Sequence, residues 1–176
     1  MKQSELMELF LRLDAPSMTN MNGEFRGHLL DQGAFRLIKV SLAYFALRAP
    51  FVNGRWQGKG FTTTSNDEGH GYNRYLQHGR DSYILPMKTK IAKSVLDGRA
   101  CFELDYTAYG SQAGLVNMID EVRKVNDELY LGIGFCGYSR QQRRIPFFFA
   151  LSGPRRPFAS VSKPKRERQR KFSRYE

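Results

Sequence analysis

Residues 97–106 hold the strongest constraint in this chain. Asp97-Gly98 is a hairpin turn signal, and a strict alternation follows it. Ala100, Phe102, Leu104 and Tyr106 fall on one face, and Arg99, Cys101, Glu103 and Asp105 on the other. A period of two over this length specifies a half-buried antiparallel strand. A chain of 176 residues built around such strands is long enough to bury one core without disulfides or metal.

The segments after Asn53 continue the pattern. Trp56 to Thr64 is rich in aromatics and threonine, and Tyr72 to Leu76 is short. Asp81 to Ser94 contains Pro86, which calls for an edge or a bulge. Ile119–Val125 and Leu129–Tyr138 form a hairpin through Asn126-Asp127, and residues 111–118 read as a turn or a single helical turn. Gly132, Gly134 and Gly137 mark places where the sheet bends or another segment comes close. Ile145 to Leu151 is apolar on both faces, as in a strand covered inside and out. This succession predicts a mainly β protein, an antiparallel barrel closed or nearly closed on itself.

Two helices are expected before these strands. Over residues 4–14, Leu6, Leu9, Phe10 and Leu13 make one apolar stripe, with Ser4 as N-cap and Pro16 as stop. A second helix over 34–47 places Ala34, Leu37, Ile38, Leu42 and Phe45 on one face. The reading divides the chain into a helical segment 1–19, a barrel 20–153 and a basic, disordered tail 154–176.

Composition narrows the class. Mean hydropathy is −0.52 and no apolar run approaches bilayer length, which excludes a helical membrane protein. The N-terminus lacks the features of a secretory signal. Cys101 and Cys136 fit neither a metal knuckle nor a redox pair, so a cytoplasmic location is expected. The net charge of +11 is concentrated in the tail. There Lys163, Lys165, Arg166, Arg168, Arg170 and Lys171 form a run that attracts phosphates by counterion release, or an anionic membrane surface. A solvated extension is the plainer account of that run.

Three motifs carry a resemblance. They are Gly23-Glu24-Phe25-Arg26-Gly27, then Trp56-Gln57-Gly58-Lys59-Gly60-Phe61, then Asp120-Glu121-Val122-Arg123-Lys124-Val125 followed by Leu129-Tyr130-Leu131-Gly132 and Phe147-Phe148-Phe149-Ala150-Leu151. In this order they resemble the GXWXG family, lipocalin-like bacterial proteins of unknown function, over roughly residues 20–152. Phe25 stands where that family has Trp. The resemblance implies a lipocalin-like, calycin-type barrel with a helix after its first strand. It also implies a base closed by Phe25, with Arg123 stacked on it by cation–π contact.

A barrel of this kind takes a small, largely apolar ligand, oriented by a few polar groups. The candidates are Trp56, Lys59, Tyr106, Arg123 and Tyr130. Lys59 offers an ammonium to a carboxylate. Asp120 is the natural partner for Arg123, since a buried arginine must be paired. Each has a plainer role: Trp56 and the tyrosines as core, Lys59 snorkelling to solvent, Arg123 and Asp120 as structure. His28, His70 and His78 have no metal-binding spacing, and no nucleophile elbow or phosphate loop occurs, so no cofactor or metal is implied. Two rival functions remain. One is nucleic-acid association through the tail; the other is an enzyme that acts on a small apolar substrate in the cavity.

Overall fold

The computed structural model describes residues 1–30, 54–109, 118–136 and 146–160. Eight antiparallel strands close into a barrel in sequence order, with the last paired to the first. They are β1 (Gly23–Leu29), β2 (Arg55–Thr63), β3 (Glu68–Gln77), β4 (Arg80–Lys93), β5 (Ala100–Asp105), β6 (Met118–Asn126), β7 (Leu129–Cys136) and β8 (Pro146–Arg156). One helix, α1 (Gln3–Arg12), precedes them, followed by a short 3₁₀ turn, Thr19–Met21. The expected second helix at 34–47 and the turn at 111–118 fall wholly or largely outside the described residues, as does Lys163 to Lys171.

The alternation read from the sequence sets the inner face. Phe102, Leu104 and Tyr106 point inward and are fully buried. They meet Phe25, Phe61, Met87, Val122, Tyr130, Phe149 and Leu151 in one core. Met18 and Met21 join it from the segment before β1, at the end where β1 begins and β8 finishes. The glycines of β7 allow a close approach. Gly132 pairs with Phe149 and Gly134 with Phe147. A Cβ on Gly134 would lie 1.9 Å from the Phe147 ring, and one on Gly132 2.2 Å from that of Phe149. Each aromatic therefore lies across the bare backbone of its cross-strand partner.

Pro86 produces the bulge rather than the edge, since a closed barrel has no edge strand. The β3–β4 register shifts between Gly71 and Asn73, opposite Leu85 at φ 54°. A second shift, in β2, lies between Trp56 and Gly58, whose φ is +140°.

α1 begins two residues earlier than its sequence reading. Lys2 caps it, and the Lys2 N–H donates to Glu5 Oε2 at 2.6 Å. Leu6 and Phe10 are buried against Leu131, Ile133, Phe135 and Phe148, which face outward from β7 and β8. The closing strand is thus apolar on both faces for the expected reason: Phe149 fills the barrel, and Phe148 meets the helix.

β8 also runs beyond the expected end of the barrel at Gly153, reaching Arg156. Arg156 donates to Glu24 Oε2 at 2.5 Å and pairs with Asp81 at 2.6 Å. Arg74 pairs with Asp81 at 3.0 Å, and Tyr72 donates to Glu24 Oε1 at 2.7 Å. Gly60 makes this outer cluster possible: a Cβ there would strike the Tyr72 ring at 2.6 Å, so β3 side chains can cross β2 to reach β1. Phe158 then stacks on Tyr72, with ring centroids 4.7 Å apart.

Candidate functional site: a charged cluster inside the barrel

Two side chains on β2, three positions apart, should face opposite sides of a regular strand. The bulge at Gly58 cancels one step of the alternation, so Trp56 and Lys59 both enter the interior. A Cβ at Gly58 would come within 2.0 Å of the Phe25 carbonyl oxygen, so glycine serves both the positive φ and the close packing.

Lys59 is 3% exposed and reaches across the barrel to Asp120 on β6, which is fully buried. The Nζ–Oδ2 distance is 3.0 Å. Lys59 Nζ also donates to Asn73 Oδ1 at 3.0 Å and to the Tyr106 hydroxyl. Trp56 Nε1 donates to the same Asn73 oxygen at 3.0 Å, and Asn73 Nδ2 donates to the Tyr106 oxygen at 3.0 Å. Tyr106 donates its proton to Asp120 Oδ2 at 3.1 Å.

The donors and acceptors of this network match in number. An ammonium has three N–H donors, and here three acceptors meet it. The Tyr106 oxygen accepts twice and donates once, which a phenol can do and a phenolate cannot. Burial pushes the Lys59 ammonium down and the Asp120 carboxyl up, and each partner's charge opposes the other's shift. The hydrogen-bond pattern favours the ionised pair. Burial, then the Asp120 charge, holds the Tyr106 hydroxyl far above its ordinary value. The Lys59 ammonium also lies 5.1 Å from the ring centroids of Tyr106 and Phe149, and 5.7 Å from that of Trp56.

Among the described residues, two polar atoms at the cluster have no partner. They are Asp120 Oδ1 and the hydroxyl of fully buried Tyr75. Tyr75 lines a narrow cavity with Trp56, Lys59, Asn73, Phe147 and Phe149, and this cavity reaches half-exposed Leu29. Its free space is about 10 Å³, room for about one water molecule. The interior bounded by the described residues is thus largely filled by side chains.

The sequence candidates separate into two groups. Trp56, Lys59 and Tyr106 converge in the cluster. Tyr130 is inward but sits at the other end, edge-on to Phe25 with ring centroids 5.5 Å apart, its hydroxyl bonded to the Asp127 carbonyl. Arg123 lies outside the barrel. On β6, Asp120 and Val122 face in, so Arg123 must face out. It donates to both Asp97 oxygens at 2.7 and 2.8 Å and to the Phe10 carbonyl at 3.0 Å. Its guanidinium covers the Phe10 ring at 4.7 Å. The expected stack on Phe25 and pairing with Asp120 are therefore replaced by contacts with α1 and the β4–β5 turn. Phe25 packs instead against Phe61 and Tyr130. Asn73 and Tyr75 were not among the candidates, although the spacing Gly71, Asn73, Tyr75 along one strand face carries the signal.

No family model and no curated protein matches the chain. A protein from Thermomonospora curvata, known by its crystal structure, is similar to it, with 20% identity and a TM-score of 0.53. The match covers 85% of this chain and 86% of that one. At this identity the likeness speaks for the barrel fold alone. Among the described residues, no helix is long and apolar enough to cross a membrane.

Proposed function

We propose that the chain is a lipocalin-like binding barrel of the GXWXG type, holding a small molecule beside Trp56, Lys59, Asn73, Tyr75, Tyr106 and Asp120. The order of its motifs and the eight-stranded closure support the grouping. One observation carries the function: a desolvated ion pair stands inside an aromatic barrel, next to a cavity and two unmet polar atoms. Stability does not call for such a pair, since well-packed apolar side chains of equal volume serve as well or better. The cluster therefore has another use, and recognition of a polar group is the one its position fits.

The small cavity limits the ligand. A head group displaces the space beside Tyr75, while an apolar body lies among Leu29, Trp56 and Phe147. Trp56 is the only tryptophan in the sequence, so its emission reports directly on occupancy. Titration of the full chain with alcohols, lipids and aromatic metabolites should give a saturable change in that emission and a rise in melting temperature. If no class changes either quantity, the binding function is lost.

A further inference from the structure

The donor and acceptor count at the cluster specifies the ligand more closely. All three N–H donors of Lys59 are engaged, and its charge is neutralised by Asp120. It has no donor left for a carboxylate ligand, contrary to the sequence expectation. An incoming anion would also face the Asp120 carboxylate. An incoming cation fares no better, because the Lys59 ammonium already occupies the faces of Phe149 and Trp56 and would repel it.

What remains open among the described residues is one acceptor, Asp120 Oδ1, and one hydroxyl, that of Tyr75, which both donates and accepts. Both are fully buried, and a buried polar atom without a partner is unfavourable until something meets it. The Tyr75 phenol lies within electrostatic reach of the Asp120 charge, and its own ionisation is pushed upward by burial and then by that charge. It therefore stays protonated.

We infer that the interior site takes an uncharged ligand bearing a hydroxyl group, held by Tyr75 and the free oxygen of Asp120, and that it discriminates against carboxylates and amines. This inference rests on the binding function above. A hydroxyl matches the two unmet atoms in kind, since it can accept from Tyr75, which lines the cavity, and donate to Asp120 beside it. An apolar head leaves both unmet.

Four probes with one body separate the cases: toluene, benzyl alcohol, benzoate and benzylamine. Titrated into the full-length protein and followed by Trp56 emission and calorimetry, benzyl alcohol should bind at least tenfold tighter than each of the other three. Tyr75→Phe leaves the Lys59–Asp120 pair in place and should erase the alcohol's advantage over toluene. Asp120→Asn is a less clean variant, because it strips Lys59 of its counter-charge. Benzoate or benzylamine binding as tightly as the alcohol overturns the inference but keeps the binding function. Toluene binding as tightly does the same. An advantage that survives Tyr75→Phe removes the assigned role of Tyr75. If none of the four binds, while other compounds do, the hydroxyl rule fails alone; if nothing binds at all, both readings fail. A crystal structure at saturating benzyl alcohol with a water still on Tyr75 also overturns the inference.

Discussion

Removing Lys59 while keeping Asp120 tests whether the interior pair is ionised. In Lys59→Met the fully buried carboxylate keeps, among the described residues, only Tyr106 as a donor. Breaking a buried pair from one side costs about 3–5 kcal/mol. Asp120→Leu should cost a similar amount, because it strands the ammonium. The double variant restores charge balance in an apolar interior. It leaves Tyr106 and Asn73 short of partners, a loss of about 1–3 kcal/mol, partly offset by better packing. Its stability should lie within about 2 kcal/mol of the natural protein, so the two substitutions couple by at least about 4 kcal/mol. Urea unfolding followed by Trp56 emission and circular dichroism measures all four proteins. The single variant also carries a pH signature. Without Lys59, the Tyr106 hydrogen bond is what still opposes the upward push of burial on Asp120, and the folded-state pKa climbs further above the unfolded value of about 3.9. The folded state then binds more protons than the unfolded one between the two pKa values, so stability falls as pH rises through the folded pKa. The deficit of Lys59→Met should be smaller at pH 5 than at pH 8. Additive costs for the two substitutions, or a single-variant cost under about 1 kcal/mol, would refute the ionised pair.

Three further outcomes follow from the surrounding structure. Arg123 holds the Asp97 carboxyl at about 2, chiefly by hydrogen bonding, so its contribution is present above the unfolded pKa and is lost as pH falls toward 2. In Arg123→Met, Asp97 should titrate near its ordinary value by NMR, and the stability gap to the natural protein should close as pH falls from about 4 to about 2. Gly134→Ala should cost about 1–3 kcal/mol by overpacking the Phe147 ring, and Phe147→Leu should recover most of that in chemical denaturation. Burial, then the Glu121 charge, pushes the Cys101 thiol up, so iodoacetamide at pH 8 should leave the Cys101 peptide unmodified in the folded protein and label it in urea, as read by mass spectrometry.

The parts of this barrel that follow the period-two rule were legible, and the parts that break it were not. The inward set Phe102, Leu104 and Tyr106 follows from alternation, as does the two-faced apolar character of β8. The stripe on α1 was equally plain, though nothing in it named β7 and β8 as its cover. Lys59 is the opposite case. The sequence offers Lys59 both as a ligand group beside Trp56 and as a snorkelling side chain, and what decides is the slip at Gly58, which depends on the packing of Gly58 against the Phe25 backbone. Asp120 and Arg123 form an apparent pair in sequence because they are close along the chain. Odd spacing along β6 places them on opposite faces, and each finds a partner from elsewhere: Lys59 for one, Asp97 for the other. Asn73 was hidden because its importance lies in bridging Trp56, Lys59 and Tyr106, three residues that only closure of the sheet brings together.

The pairing of β1 with β8 has a kinetic consequence. The other seven strand pairs join consecutive strands, so they can form as a meander with modest loop closures. Among the strand pairs, the seam between Glu24 and Arg156 alone joins residues more than a hundred positions apart, and its entropic cost falls on a single event. Weakening the charge cluster at that seam should therefore act on ring closure as a whole, while a change within any one hairpin acts locally.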